Sequence, residues 1–335
     1  MTPPPDHPPI DPPRVGVLLI NLGTPDAPDV RSVRRYLAEF LSDRRVIEIP
    51  RAAWQPILHG IILRTRPRKS AHAYGLVWRE DGSPLAAITR AQAAALDGAF
   101  GEDVVVDWAM RYGRPAIADQ NAWLKAVGCE RILLAPLYPQ YCAATTATAN
   151  DRAFAALATM RWQPAIRTLP PYHDDPAYIG ALKASVEAGL AALDFVPDTI
   201  VASFHGMPKR TLERGDPYHC HCQKTARLLA QALGRDLVVS FQSRFGRAEW
   251  LGPATDTTLA ALPGQGANRV AVIAPGFSAD CIETLEELAI RGREAFETAG
   301  GTDFAYLPCL NAEPEGVAML RTLIARELEG WVAAA

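Results

Sequence analysis

His205 and Glu283 are the residues of this chain best placed, by type and context, to move protons or hold a metal ion. His205 stands in SFHGMP, directly after the apolar run TIVASF, so it reads as the end of a buried strand. Open α/β sheets bind their ligands beyond such strand ends. Glu283 stands in FSADCIETLEEL, where helical spacing puts Asp280, Glu283 and Glu287 on one face, with Glu286 beside them. Ile282, Leu285 and Leu288 supply the opposite, apolar face. A neutral imidazole, with an ordinary pKa of about 6.5, can accept a proton near neutrality or bind a metal, and a carboxylate can do either. Plainer readings stand beside these: a hydrogen-bonded structural histidine, and an Asp280–Glu283 capping box.

The elements that must position these groups are apolar, β-branched runs: RVGVLLINL, VVVDWAM, RILLAPL, TIVASF, LVVSF and RVAVIAPGF. Alanine- and leucine-rich helical stretches separate most of them, which is the pattern of a parallel sheet. The six runs fall into two sets of three whose exits correspond in order. NLGTP matches FHGMP, MRYG matches SRFG, and PLYPQYC matches PGFSADC. The expected fold class is therefore α/β, with two similar halves facing a cleft lined by these exits.

The halves differ in one respect. Val15 to Val104 in the first corresponds to the much shorter step Ile200 to Leu237 in the second, so the first half carries a long insertion near residues 50–85. Within it, in residues 51–69, Trp54, Ile57, Leu58, Ile61 and Ile62 recur at helical spacing and a basic cluster follows. Such a segment is either a core-facing helix or an apolar lip over the cleft that also touches an anionic membrane surface.

With 335 residues and 49% hydrophobic content, the chain is long enough for two cores. A net charge of -3 argues against non-specific nucleic-acid binding, which rests on basic patches. Residues 1–13 form a proline-rich tail, expected to be disordered, without the basic region and apolar core of a signal peptide. No apolar run approaches the length of about 20 residues that spans a bilayer. A cytoplasmic protein is expected, with any membrane contact peripheral and on the inner face. Six cysteines in such a chain suggest thiols or metal ligands rather than disulfides.

Taken together, NLGTPDAPDVRSVRRYLAEFLSDRRVIEIP, YGLVWREDGSPL, MRYGRP, LYPQY, SFHGMP, RGDPY, FQSRFGRAEWLGPATD and PGFSADCIETLEE closely resemble the ferrochelatases, over residues 15–326. The resemblance implies two similar doubly wound domains, each a parallel sheet flanked by helices, at residues 14–175 and 176–311. A C-terminal segment, 312–335, would pack back across them as a helix over 313–329. It implies insertion of ferrous iron into protoporphyrin IX to give protohaem, with release of two protons. His205 and Glu283 would be the central pair, acting on protons and holding the iron. Arg111, Tyr112, Trp250, Phe277 and Leu22 would contact or enclose the macrocycle, and Asp280, Glu286 and Glu287 would line a path for metal or protons.

Two departures from the family pattern stand out. Arg291 occupies a position that is acidic in some relatives, and Cys281 one that is histidine in animal members. Certain ferrochelatases also hold a 2Fe-2S cluster on four cysteines, one of them next to the position of Cys142. Cys220 and Cys222, in HCHC, together with Cys142 and one of Cys129, Cys281 or Cys309, are the candidate ligands here; the other reading is reduced, unligated thiols. The alternatives in function are a coproporphyrin-type ferrochelatase, a cobalt chelatase of the same fold, and a tetrapyrrole- or metal-binding protein without chemistry. Either a monomer or a homodimer fits the sequence.

Overall fold

A computed structural model describes residues 13–246 and 248–332. Eight parallel strands form two four-stranded sheets, ordered β2-β1-β3-β4 and β6-β5-β7-β8. The first contains β1 (Arg14–Gly23), β2 (Val104–Tyr112), β3 (Cys129–Pro136) and β4 (Ala165–Thr168). The second contains β5 (Thr199–His205), β6 (Leu237–Gln242), β7 (Arg269–Ile273) and β8 (Asp303–Tyr306). The order repeats strand for strand, as the paired exits predict. In each sheet the order reverses direction at one point, beside β1 and β3 or beside β5 and β7, and there the strand ends leave a crevice.

The central strands are apolar on both faces because helices cover both sides. Val17, Leu18, Leu19 and Ile20 in β1 are fully buried, as are Ile132, Leu133 and Leu134 in β3. The edge strands β4 and β8, four residues each, were not among the six expected. They are half-buried and too short for periodicity to mark them. Gly23 closes β1 at φ +118, where a Cβ would lie 1.9 Å from the Tyr112 carbonyl oxygen, so this exit admits only glycine.

One apolar cluster spans both halves, taking in Leu19, Leu133, Tyr178, Phe204, Tyr218 and Leu320. The helix Pro314–Leu328 lies against Pro84–Leu96, β3 and Pro176–Ala191, with Arg326 paired to Asp175. The tail assigned to 1–13 falls, except for Pro13, outside the described residues, as do 333–335 at the other end.

The insertion is helical in three pieces: Arg51–Ile57, a π-helical turn Leu58–Ile62, and Leu63–Val77. Some of its apolar residues pack inward and others stay exposed. Leu58 is fully buried, and Trp54 and Ile62 pack on the same cluster, with the Trp54 indole N–H donating to Leu41 O at 2.6 Å. Ile57 and Ile61 stay exposed, at 41% and 58%. The helix Leu63–Val77 lies against the helix carrying Glu283, and the Arg66 guanidinium sits 5.3 Å over the Phe245 ring.

Candidate active site

His205 is the last residue of β5 and half-buried. Its Nδ1 lies 2.7 Å from Gly206 O. A carbonyl only accepts, so Nδ1 carries the hydrogen and Nε2 of the neutral ring keeps its lone pair. The turn after it is held closely: Gly206 N–H donates to Gln242 O at 2.7 Å, and the Tyr218 hydroxyl donates to His205 O at 3.0 Å. A Cβ at Gly206 would lie 2.5 Å from that same Gln242 oxygen, so this approach needs glycine.

Glu283 opens a ten-residue π-helix, Glu283–Gly292. This differs from the α-helical face expected for the four acids. The i→i+5 bonding of a π-helix widens the turn, so α-helical counting does not place these side chains together. Asp280 precedes the helix and forms no capping box with Glu283. It is buried, and its carboxylate accepts from Thr284 Oγ1 at 2.8 Å, Tyr306 Oη at 2.7 Å and Asn311 Nδ2 at 2.7 Å. Glu287 accepts from Ser243 N–H at 2.8 Å and Oγ at 2.5 Å, and Glu286 pairs with Arg291 at 3.0 Å. Arg291 lies 3.8 Å from Glu287 as well, so the departure from an acid at this position closes the outer end of the stripe with an ion pair.

The start of the helix at Glu283 meets the other half of the molecule: Ile282 packs on the cluster that holds Tyr36 and Tyr74, and Leu63–Val77 lies against the π-helix. Burial pushes the hydroxyls of Tyr36 and Tyr74 well up, and the nearby Glu283 charge adds to the rise in both. The same two causes raise the Cys281 thiol, burial first and Glu283 second. These tyrosines come from the helices Val30–Leu41 and Leu63–Val77, so Glu283 stands at the junction of the halves. Leu22, Phe277, Cys281 and Met110 share one apolar cluster there. Tyr36, Tyr74, Gln242 and Ser243 lie within the motifs quoted above, but their side-chain chemistry does not mark them; the fold brings them to the site.

Trp250 stands against the turn after His205: its ring carbon Cε3 is 3.3 Å from where a Cβ on Gly206 would sit, and its main chain bridges to Pro208. It donates to Phe245 O at 3.0 Å and lines a cavity of about 390 Å³ with Gln242, Ser243, Glu287 and Arg291. Neither His205 nor Glu283 lines that cavity.

Arg111 and Tyr112 do not face an open cleft, contrary to expectation. Tyr112 is fully buried, and its hydroxyl donates to Asp43 at 2.9 Å. Arg111 pairs with the same Asp43 carboxylate and with Thr148. Burial alone would raise the Asp43 carboxyl, but hydrogen bonds from Thr148, Arg45 and Tyr112 outweigh it and hold the group below the usual range. Asp43 thus gives Arg111 an internal partner within the protein.

The cysteines do not fit an iron-sulfur cluster. Cys220 and Cys222 lie on the helix Tyr218–Leu233, where two residues of separation turn the side chains about 200° apart. Cys220 is exposed and Cys222 fully buried, while Cys129, Cys142, Cys281 and Cys309 are buried too. Burial pushes the Cys142 and Cys222 thiols well up, against the thiolate that a cluster requires. No group of three or more His, Cys, Asp or Glu among the described residues could hold a metal ion.

The family model for ferrochelatase matches residues 14–328. The chain belongs to the ferrochelatase family. A ferrochelatase of Rhizobium meliloti (strain 1021) is 59% identical over 334 residues, covering 98% of both chains. One from Agrobacterium fabrum (strain C58 / ATCC 33970) is 54% identical over 336 residues, again with 98% of each covered. Among solved structures, the fold resembles SirB from Bacillus subtilis with Fe3+, at TM-score 0.55 and 14% identity over 75% of this chain and 95% of that one. The sirohydrochlorin chelatase SirB from Bacillus subtilis subspecies spizizenii, in complex with cobalt, gives TM-score 0.54 and 12% identity over 95% and 98%. At these identities the likeness extends to the fold alone, an α/β chelatase fold.

Proposed function

We propose that the protein is a metal chelatase of the lyase class that inserts ferrous iron, its substrate metal, into protoporphyrin IX, forming protohaem and releasing two protons in haem synthesis. The observation that carries this reading is that Gln242 stands in register beside His205 while its amide donates to Glu283 O at 2.7 Å, which brings the two to one strand end. There a strand-end imidazole keeps Nε2 free, and the helix that Glu283 opens meets the facing half through Ile282 and against Leu63–Val77.

Metal insertion requires loss of two pyrrole protons and a bent ring whose nitrogen lone pairs meet the metal from one face. His205 Nε2 takes one proton or holds the entering iron, the Glu283 carboxylate takes the second proton or holds the metal in transit, and each proton passes on to solvent. Imidazole with carboxylate is a weak enough ligand set for iron to leave again, where thiolates would trap it. The apolar wall of Leu22, Met110 and Phe277 suits a flat, greasy macrocycle and a strain of roughly 1 to 5 kcal/mol held by binding the rest of the ring. Glu286 and Glu287, tied to Arg291 and Ser243, would steer cations or protons toward Glu283, and Asp280 would anchor the helix start that carries it. Arg111 and Tyr112 support the site from behind through Asp43, and Trp250 encloses the ring from the side of its own cavity.

No helix among the described residues is long and apolar enough to cross a membrane. Exposed Ile57 and Ile61, followed by Arg64, Arg66, Arg68 and Lys69, supply the surface for peripheral contact with anionic lipid. The deciding experiment mixes purified protein, protoporphyrin IX and ferrous iron without oxygen and follows the absorption spectrum. Conversion to the protohaem spectrum is expected; an unchanged porphyrin spectrum would overturn the reading.

A further inference from the structure

We infer that Gln242 is a positioning residue for iron insertion, setting Glu283 relative to His205; this rests on the reading proposed above. Gln242 ends β6 and is 3% exposed. It touches both sides of the site at once. Its main-chain oxygen accepts from Gly206 N–H at 2.7 Å, and it stands in register beside His205. Its side chain reaches the other way, where Nε2 donates to Glu283 O at 2.7 Å.

The amide can point only one way. Glu283 O only accepts, so Nε2 must face the π-helix, which leaves Oε1 to accept from Ser203 Oγ at 2.8 Å. Ser203 lies 2.8 Å from Thr255 Oγ1, which lies 2.9 Å from Ser240 Oγ. Ser203, Ser240 and Thr255 are all buried, so this polar chain is shielded from water and each member fixes the next. A buried amide at the end of the strand LVVSFQ costs free energy unless its bonds are made, and a leucine there would need none. What the amide adds is direction: it fastens the first carbonyl of a rare helix to the strand pair that carries the histidine. A reacting group misplaced by about 1 Å can lose roughly 100-fold in rate.

The test compares the wild-type protein with Gln242→Leu, Ser203→Ala and a remote core variant, Leu320→Ala. The assays are anaerobic iron insertion, porphyrin binding by fluorescence quenching, and thermal melting, with kinetics run well below each Tm. Gln242→Leu should lower kcat by about 100-fold while KM for porphyrin and its Kd stay within about twofold. Ser203→Ala, which frees the amide to turn, should lower kcat less and also spare KM. Leu320→Ala should melt lower with kcat intact, which separates positioning from simple destabilisation. If Gln242→Leu does not fold, Ser203→Ala decides alone. Unchanged kcat in the folded variant, or a rise in KM with kcat intact, would overturn the assignment. A wild-type protein that binds porphyrin and never inserts iron would instead sink the proposed function, and this inference with it.

Discussion

The Tyr306 hydroxyl donates to Oδ1 of Asp280 at 2.7 Å, tying the last strand of the second sheet to the run that enters the π-helix. Asn311 and Thr284 complete the carboxylate's partners, so an acid expected to relay metal or protons is held as an anchor. A hydrogen bond to a charged group contributes about 1.5 to 3 kcal/mol, so Tyr306→Phe should lose about that much in urea unfolding. Asp280→Ala strands three donors and should lose more than about 4 kcal/mol. A stable but slow Asp280→Ala would restore the relay.

Glu283→Gln keeps the shape and the main-chain carbonyl that Gln242 holds. It should therefore melt close to wild type while iron insertion slows by about 100- to 10,000-fold, the usual range for a lost proton acceptor. His205→Ala should fall by a similar factor and still quench porphyrin fluorescence. Retention of half the wild-type rate in either variant would point to another base.

Thiol reactivity offers a direct check on the cysteines. Cys220 is exposed and the other five are buried, so the native protein should titrate one thiol rapidly and all six once denatured. The protein prepared without oxygen should be colourless. A brown protein with stoichiometric iron and sulfide would contradict the geometry of the helix Tyr218–Leu233.

His173 and His221 stack face to face, ring centres 3.6 Å apart. Burial, with His221 as the next cause, lowers His173 to about 4; Asp174 opposes the shift and Lys224 adds to it. His221, close to Asp174, Asp216 and Lys224, is lowered as well, mainly by burial, and its Nδ1 accepts from Tyr141 N–H at 3.2 Å. An unfolded histidine titrates near 6.5, so below that pH the unfolded chain binds protons that the folded one refuses. The stability linked to neutral His173 is full above pH of about 6.5 and declines as pH falls toward 4. His173→Phe, which keeps a stacked ring, should show a shallower fall in Tm across that window, and an identical fall would exclude the linkage.

Replacing Ile57 and Ile61 with serine removes apolar side chains already in water, so the melting temperature should hold while binding to anionic vesicles weakens. Leu58→Ser in the same segment should unfold the insertion, because Leu58 is fully buried. Equal vesicle binding by the double variant would remove the membrane role.

The long strands were legible because burial on both faces leaves continuous apolar runs such as those of β1 and β3. Four-residue edges like β4 leave too little pattern to read. The place of His205 at a strand end was legible because the apolar run TIVASF stops there. The stretch DCIETLEE carries α-helical spacing, and nothing in its apolar residues encodes the wider π turn. Arg111 and Tyr112 were read as facing ligand because their partner, Asp43, lies in a loop remote in sequence. Tyr36, Tyr74 and Gln242 act only through where the chain brings them.

The contact between Arg66 and Phe245 bears on kinetics. It joins the insertion to the loop that holds Trp250, and a flat molecule passing between them must part it. An exposed cation–π pair contributes about 0.5 to 1 kcal/mol, which slows each passage by only about two- to fivefold. Such a latch hardly delays arrival, yet it acts equally on departure, so residence time of a bound ring and its rate of capture should change together when Arg66 is replaced by alanine.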